Sequence, residues 1–128
     1  MLNKRRVWGI YRDTLEMLVE MAKSNYPKEF VALLRHENGI ISEVLLLPGT
    51  LQGEDSATIM LYMRPVDLSV VGSVHCHPGP SHRPSGADLD MFRHFGHTHI
   101  ILSMPYDMSN WRAYDHEGNR IELEIVDE

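Results

Sequence analysis

Apolar residues in the first part of the chain predict a strand followed by a helix. Residues 7–10 form a short, largely apolar run that predicts a strand. Apolar positions then recur at helical spacing and predict a helix that Asp13 caps and that runs to about residue 24. Pro27 ends this helix because proline lacks a backbone donor. The face of the helix expected to be buried comprises Leu15, Leu18, Val19 and Ala22.

A hairpin is predicted after the helix. Residues 30–34 are apolar and directly follow Glu29, and Glu37-Asn38-Gly39 is a strong turn signal. Residues 40–47 then form the returning strand. Beyond it, the spacing of turn-forming residues predicts a loop at 48–56, a strand at 58–63 that residues 64–65 end, and a short helical turn or bend at 67–69.

The second half of the chain predicts a central strand, an irregular loop, a helix and three terminal strands. The apolar run at 70–77 is typical of a buried strand, and the three prolines and one glycine of 78–84 exclude regular structure there. Ser85 can cap a helix that runs to about residue 95, with Leu89, Phe92 and Phe95 on one face. Strands follow at 99–104, 110–115 and 120–126, the last two paired through a turn at 116–119.

These elements predict one α/β domain over residues 1–128, with two main helices packed on a curved, mixed and mostly antiparallel sheet. A net charge of -6 argues against a nucleic-acid-binding surface, which needs a basic face. The single cysteine, Cys76, excludes an internal disulfide. No apolar run approaches the roughly 20 residues that span a bilayer, and no secretion signal is recognisable, so we expect a cytoplasmic protein that does not bind membranes.

Candidate chemistry is concentrated at the end of the predicted central strand. His75 and His77 lie two residues apart, so on a strand they point to the same side. The following loop can turn back and deliver Asp88 in the first turn of the next helix. Two imidazoles and a carboxylate form a common catalytic zinc set that leaves a position for water. Each residue alone has a structural explanation, since Ser85 and Asp88 also resemble a helix capping box. Their combination favours a metal site.

The same residues resemble the signature of the JAMM, or MPN-plus, metalloprotease family. The matching stretch is His75-Cys76-His77-Pro78, seven residues counted from that proline, and then Ser85-x-x-Asp88. An upstream glutamate after a Pro-x pair is also part of that pattern, and residues 27–29 fit it. The order of predicted elements agrees as well, so the resemblance covers nearly the whole chain. It implies the MPN/JAMM fold, which is cytidine-deaminase-like, in its minimal prokaryotic-type form.

The resemblance also implies a role for each site residue. His75, His77 and Asp88 would bind one Zn²⁺ per chain, and Glu29 would act as general base and then protonate the leaving amine. Ser85 would donate a hydrogen bond to the oxyanion of the tetrahedral intermediate. The implied activity is a zinc-dependent metalloprotease or isopeptidase. Its implied substrate is the C-terminal tail of a ubiquitin-like or sulfur-carrier protein.

Two alternative functions remain beside this one. A non-catalytic MPN-type scaffold or interaction domain has the same fold, but such relatives usually lack the ligands that this sequence retains. A nucleoside deaminase requires a Pro-Cys-x-x-Cys arrangement, which the single cysteine excludes. The chain also has no long insertion of the kind that specialised deubiquitinases use to hold ubiquitin. The sequence leaves the oligomeric state open.

The remaining histidines and the cysteine of the motif are interpreted structurally. Cys76 stands where the family usually has Ser or Thr, and on a strand its side chain points away from the metal side. His97-Thr98-His99 is a second His-x-His, but no Ser-x-x-Asp follows it. We therefore expect surface or strand-edge positions for these two histidines and for His94 and His116. An exposed loop position is expected for His82, with a substrate contact as the less favoured alternative.

Overall fold

The computed structural model describes residues 6–47 and 70–128. Within those ranges the chain forms two helices and one sheet of eight strands. The first half contains β1 (Gly9–Tyr11), α1 (Arg12–Asn25), β2 (Val31–Glu37) and β3 (Ile40–Leu46). The second half contains β4 (Val70–Cys76), α2 (Gly86–His94), β5 (Thr98–Leu102), β6 (Trp111–Tyr114), β7 (Arg120–Ile121) and β8 (Glu124–Val126). The elements predicted at 48–69 lie outside the described residues.

Helix α1 confirms the predicted apolar face but not the predicted cap. Its buried residues are Thr14, Leu15, Leu18, Val19 and Ala22. The N-cap is Tyr11, which makes no side-chain capping bond, and Asp13 lies inside the first turn. The prediction that Asp13 caps the helix is therefore wrong. An acidic residue in the first turn still favours the helix, because the amino end carries partial positive charge.

The hairpin of β2 and β3 forms as the turn signal predicts. Asn38 and Gly39 both have positive φ, at 55° and 84°, which suits the tight turn that matches the twist of paired strands. A side chain at Gly39 would also crowd the backbone oxygen of Arg6. Glycine is therefore required at this position on two counts.

The sheet has the order β7-β6-β5-β4-β2-β3-β1-β8, with both parallel and antiparallel neighbours. Strand β4 lies near its middle, antiparallel to β2 and parallel to β5, as its apolar run predicts. Residues 120–126 were predicted as one strand, and this is wrong. Strand β7 pairs with β6 at one edge, whereas β8 pairs with β1 at the other. Because only residues 122 and 123 separate these edge strands, the sheet must curl so that its edges approach each other.

Apolar side chains cover both faces of the sheet. The larger cluster contains the buried side of α1 together with alternate residues of the central strands, such as Ala32, Val74 and Ile100. The opposite face packs against α2 through Leu33 with Met91, and through Ile101 with Phe92. Neither described helix is long and apolar enough to cross a membrane. The face that packs against α2 also contains the polar residues described next.

Candidate active site

Strands β2 and β4 bring the first site residues to one end of the sheet. His75 is opposite Val31 in the antiparallel register, and the backbone N–H of Cys76 donates to the Phe30 carbonyl at 3.1 Å. Glu29 therefore lies at the same end of the sheet as the two histidines. Cys76 packs in the core cluster on the opposite face, as strand alternation predicts.

The loop after β4 is held by hydrogen bonds to its backbone carbonyls. Tyr106 donates to the His77 carbonyl at 2.7 Å, and Tyr114 donates to the His82 carbonyl at 2.8 Å. The backbone N–H of Met104 donates to the Gly79 carbonyl at 2.9 Å. These contacts fix an irregular segment against the sheet, so the start of α2 is delivered to a defined position.

Helix α2 places Asp88 against both histidines. Ser85 is its N-cap, and the predicted capping box is present: Asp88 N–H donates to Ser85 Oγ at 3.1 Å, and Ser85 N–H donates to Asp88 Oδ2 at 2.9 Å. The same carboxylate lies 3.1 Å from His75 Nδ1 through Oδ1 and 2.8 Å from His77 Nε2 through Oδ2. The capping and ligand interpretations of Asp88 are therefore compatible.

The charges at this cluster are strongly coupled. Burial opposes ionisation of Asp88, but the hydrogen bonds from His75 and then His77 outweigh it and hold the carboxyl pKa far below its ordinary value. For His77, the hydrogen bond to Asp88 raises the imidazole pKa, although burial opposes this effect. A negative charge at Asp88 is thus present at neutral pH.

Glu29 and Ser85 line the cleft above these residues. The cleft encloses about 350 Å³, and its wall also includes His77 and Asp88. Both Glu29 and Ser85 are exposed, whereas His75 is buried, with 3% of its surface accessible. The structure therefore brings the five predicted site residues to one place, with three in direct contact and two facing the same opening.

The three contacting side chains have the chemistry of a metal site in a closed arrangement. Among the described residues, no three His, Cys, Asp or Glu side chains are already spaced to hold a metal ion. Donor atoms around a tetrahedral zinc lie about 3.3 Å apart, given bonds of about 2.0–2.1 Å. The contacts of 2.8 and 3.1 Å to Asp88 are only slightly shorter. Both contacts are therefore close to the spacing between neighbouring zinc ligands.

The second nitrogen of His77 supports this fit. Nδ1 lies 3.1 Å from the Ser81 carbonyl oxygen, which can only accept, so Nδ1 carries the proton. Nε2, which lies 2.8 Å from Asp88 Oδ2, is then the ring nitrogen that a metal would bind. Metal-bound histidines generally have this arrangement, in which the outer nitrogen donates and the inner one binds.

The structure corrects the interpretation of His99. It was expected at the surface or a strand edge, but it is fully buried and stacks on Phe92 with ring centroids 4.3 Å apart. Its Nδ1 lies 2.7 Å from Ser73 Oγ, another fully buried polar group that sequence reasoning missed. Burial lowers the pKa of His99 to about 4, although a hydrogen bond to the Gly96 carbonyl opposes this shift. The available signal was that His99 directly precedes the apolar run Ile100-Ile101-Leu102 within β5.

Of the other histidines, His94, His97 and His116 are exposed, as expected. His82 is half-buried rather than exposed. Its Nε2 is buried and has no hydrogen-bond partner within residues 6–47 and 70–128. The expectation of a solvent-exposed loop position for His82 is therefore wrong.

Comparison with known proteins identifies the family of this chain. The family model described as prokaryotic homologues of the JAB domain matches residues 12–114. A protein of Haloferax volcanii named "Probable metalloprotease" is 36% identical over 137 residues, covering 99% of this chain and 84% of the relative.

Solved structures agree over nearly the whole chain. One, reported as JAMM, a metalloprotease-like zinc site in the proteasome and signalosome, has 38% identity and a TM-score of 0.76, covering 94% of this chain and 98% of the other. A JAB1/MPN domain protein from Archaeoglobus fulgidus has 39% identity and a TM-score of 0.75, covering 92% and 98%. A Desulfitobacterium hafniense protein with 20% identity and a TM-score of 0.59 shares the fold. The chain therefore belongs to the prokaryotic JAB/JAMM family and is a JAMM-type metalloprotease.

Proposed function

We propose that His75, His77 and Asp88 bind one Zn²⁺ per chain and that Glu29 and Ser85 use the site to hydrolyse peptide or isopeptide bonds. The observation that carries this proposal is the double contact of the Asp88 carboxylate, with one oxygen on each imidazole. Both histidines are held by contacts at their other ring nitrogens, His75 by Ser73 and His77 by Ser81. When bound, zinc acts as a Lewis acid and lowers the pKa of coordinated water to about 7.

Glu29 is the general base in this proposal. Its carboxylate lines the cleft together with His77 and Asp88, where the attacking water must lie. It is exposed and is not part of the hydrogen-bonded cluster around Asp88, so it can accept a proton from that water. The same carboxyl group can then pass the proton to the leaving amine. General acid–base catalysis of this kind contributes about 10²–10⁴-fold.

Ser85 stabilises the developing oxyanion. Its Oγ already accepts the hydrogen bond from the Asp88 backbone N–H, so its hydroxyl hydrogen remains for donation into the cleft. Because the N-cap geometry fixes the side chain before substrate arrives, the donor requires little reorganisation. The capping role therefore also positions the catalytic hydroxyl.

The proposed substrate is the C-terminal tail of a ubiquitin-like or sulfur-carrier protein. Besides the proposed reacting groups, the wall of the cleft consists of Arg83 and of the loop at 78–81, which contributes proline, glycine and serine. The short side chains of this loop leave room for an extended segment with small residues of its own. An extended tail also reaches a cleft of about 350 Å³ more readily than a folded surface does.

The test uses Glu29→Gln, which removes the base while keeping the shape of the side chain. We expect this variant to bind zinc like wild type but to lose at least 10²-fold in cleavage rate. The matched control is Glu16→Gln, on the exposed side of α1. Each protein is analysed for metal and incubated with ubiquitin-like fusions bearing varied tail residues.

The outcomes separate the parts of the proposal. Undiminished cleavage by Glu29→Gln would remove Glu29 from the mechanism. Wild type prepared without chelator and lacking zinc would contradict the metal assignment. Zinc without cleavage of any linear or isopeptide-linked fusion would favour the non-catalytic scaffold and would count against the substrate class.

A further inference from the structure

A chain of hydrogen bonds lies beneath the proposed metal site. Ser73 and His99 are paired directly in the parallel register of β4 and β5, and both are fully buried. Ser73 Oγ lies 2.7 Å from His99 Nδ1 and 2.8 Å from His75 Nε2. The serine hydroxyl thus links a buried histidine to the buried ring that contacts Asp88.

The direction of each bond follows from the backbone groups at the far end. The N–H of Ser73 donates to His99 Nδ1 at 3.1 Å, so this nitrogen carries a lone pair and no proton. The ring proton of His99 is therefore on Nε2, which lies 2.9 Å from the Gly96 carbonyl oxygen and donates to it. Two backbone groups fix the tautomer of His99.

The fixed tautomer of His99 sets the direction of the remaining hydrogen bonds. Since His99 Nδ1 can only accept, the hydroxyl of Ser73 must donate to it; otherwise two lone pairs would face each other at 2.7 Å. Ser73 Oγ is then the acceptor for a proton on His75 Nε2. The Nδ1 atom of His75 is left to face Asp88 Oδ1 at 3.1 Å.

We propose that Ser73 and His99 are positioning residues that hold His75 with its proton on Nε2 and its Nδ1 available to a metal. This inference rests on the proposed zinc site. Without the contact to Ser73, His75 could adopt either tautomer and either ring orientation. Groups that hydrogen-bond the outer nitrogen of a ligand typically contribute 10–100-fold to metal affinity.

Packing prevents the two rings from turning independently. Phe92 stacks on His99 at 4.3 Å and meets His75 edge-to-face at 5.5 Å. It follows Asp88 by four residues on α2, so the side chain that contacts both rings shares a helix face with the carboxylate. Gly96, which accepts from His99, has a φ of 104° and lies so close to Val71 that no side chain would fit.

The first experiment needs no substitution. Nitrogen-15 NMR of histidine-labelled protein reports which ring nitrogens carry protons, with and without zinc. With zinc, we expect the proton of His75 on Nε2 and zinc on its Nδ1; in both states we expect His99 to be neutral with its proton on Nε2. Zinc on Nε2 of His75, or a proton on Nδ1 of His99, would overturn the proposal.

The second experiment measures zinc affinity by competition with a chelator. We expect Ser73→Ala and His99→Phe each to weaken zinc binding about 10–100-fold. The double variant should bind zinc no more weakly than the weaker-binding single variant, because both substitutions interrupt the same series of hydrogen bonds. Ser73→Thr keeps the hydroxyl and should retain affinity, provided that circular dichroism shows a wild-type fold. The control is Ile100→Val, next to His99 but on the opposite face of β5.

Failure of this inference differs from failure of the proposed function. Zinc affinity of Ser73→Ala equal to wild type, or additive losses in the double variant, would overturn the positioning role and leave the zinc site intact. A wild type that binds no zinc would overturn the proposed function. The tautomer of His99 in the zinc-free protein would then still decide whether the hydrogen bonds have the proposed direction.

Discussion

Acid should destabilise this protein through His99 before its carboxylates are protonated. Burial of the His99 imidazole lowers its pKa from an ordinary value of 6.5 to about 4. The ring accepts from Ser73 N–H, so protonation of Nδ1 would both bury a charge and break this hydrogen bond. The perturbation is a decrease in pH, and the comparison is wild type against His99→Phe.

The sign and size of the pH effect on the unfolding free energy follow from the proton that His99 binds in the unfolded chain. Between pH 6.5 and 4 the unfolded chain binds a proton at this histidine and the folded protein does not, so stability falls as pH decreases. Each pKa unit corresponds to about 1.36 kcal/mol, so the difference between 6.5 and about 4 amounts to about 3 kcal/mol.

The other shifted groups act outside that window. The raised pKa of His77 gives stability that is complete below 6.5 and is lost as pH rises through the raised value. Asp88, Asp107 and Asp115 have lowered pKa values, so their contributions are lost only as pH falls below about 3.8. The window between 6.5 and 4 therefore reports mainly on His99.

The assay is urea unfolding at half-unit pH intervals in the presence of a chelator, so that metal linkage does not contribute. Wild type should lose about 3 kcal/mol of unfolding free energy between pH 6.5 and 4. His99→Phe should lose much less, and the exposed-residue control His116→Asn should follow wild type. Equal pH slopes in wild type and His99→Phe would refute the reasoning, whatever the absolute stability of the variant.

Two further predictions concern single contacts. Gly72→Ala should reduce the melting temperature strongly, because a side chain there would overlap the Thr98 carbonyl of the neighbouring strand. The control Gly79→Ala should leave the melting temperature unchanged, since no atom lies within 4 Å of a methyl group at that position. An unchanged melting temperature for Gly72→Ala would contradict this packing. Ser85→Ala should cost about 1 kcal/mol of unfolding free energy through loss of the cap and should lower kcat about 10²–10³-fold if the hydroxyl serves the oxyanion. Ser85→Thr should retain most of both, and equal activity of all three proteins would exclude the oxyanion role.

The contact between the central residues of the candidate site was predictable because they are close in sequence. His75, His77 and Asp88 span fourteen positions, and strand alternation plus a helix cap suffice to bring them together. Ser73 and His99 were not predictable in the same way. Their contact depends on the parallel register of β4 and β5, in which Ser73 aligns with His99. A slip of one residue would place either side chain on the other face, and the sequence alone does not specify this register.

The fold was predictable to a similar extent. Short-range signals located both helices of the described residues and the β2–β3 hairpin, because periodicity and turn residues act locally. The division of residues 120–126 into β7 and β8 was missed, since β8 pairs with β1 near the other end of the chain. The cap of α1 was also misplaced, because several polar residues near a helix start can serve and only backbone geometry selects one.

The polar residues beneath α2 support the proposed cation site. Burying Ser73, His75 and His99 is costly unless each donor meets an acceptor. The chain from Gly96 to His75 satisfies them one after another, and its direction leaves a ring nitrogen of His75 facing a carboxylate oxygen. His77 reaches the same carboxylate with its outer nitrogen already engaged by Ser81. At low pH a proton can occupy such contacts, which is why the pKa of His77 is raised. In the proposed site, a divalent cation would replace that proton as the partner shared by both imidazoles and the carboxylate.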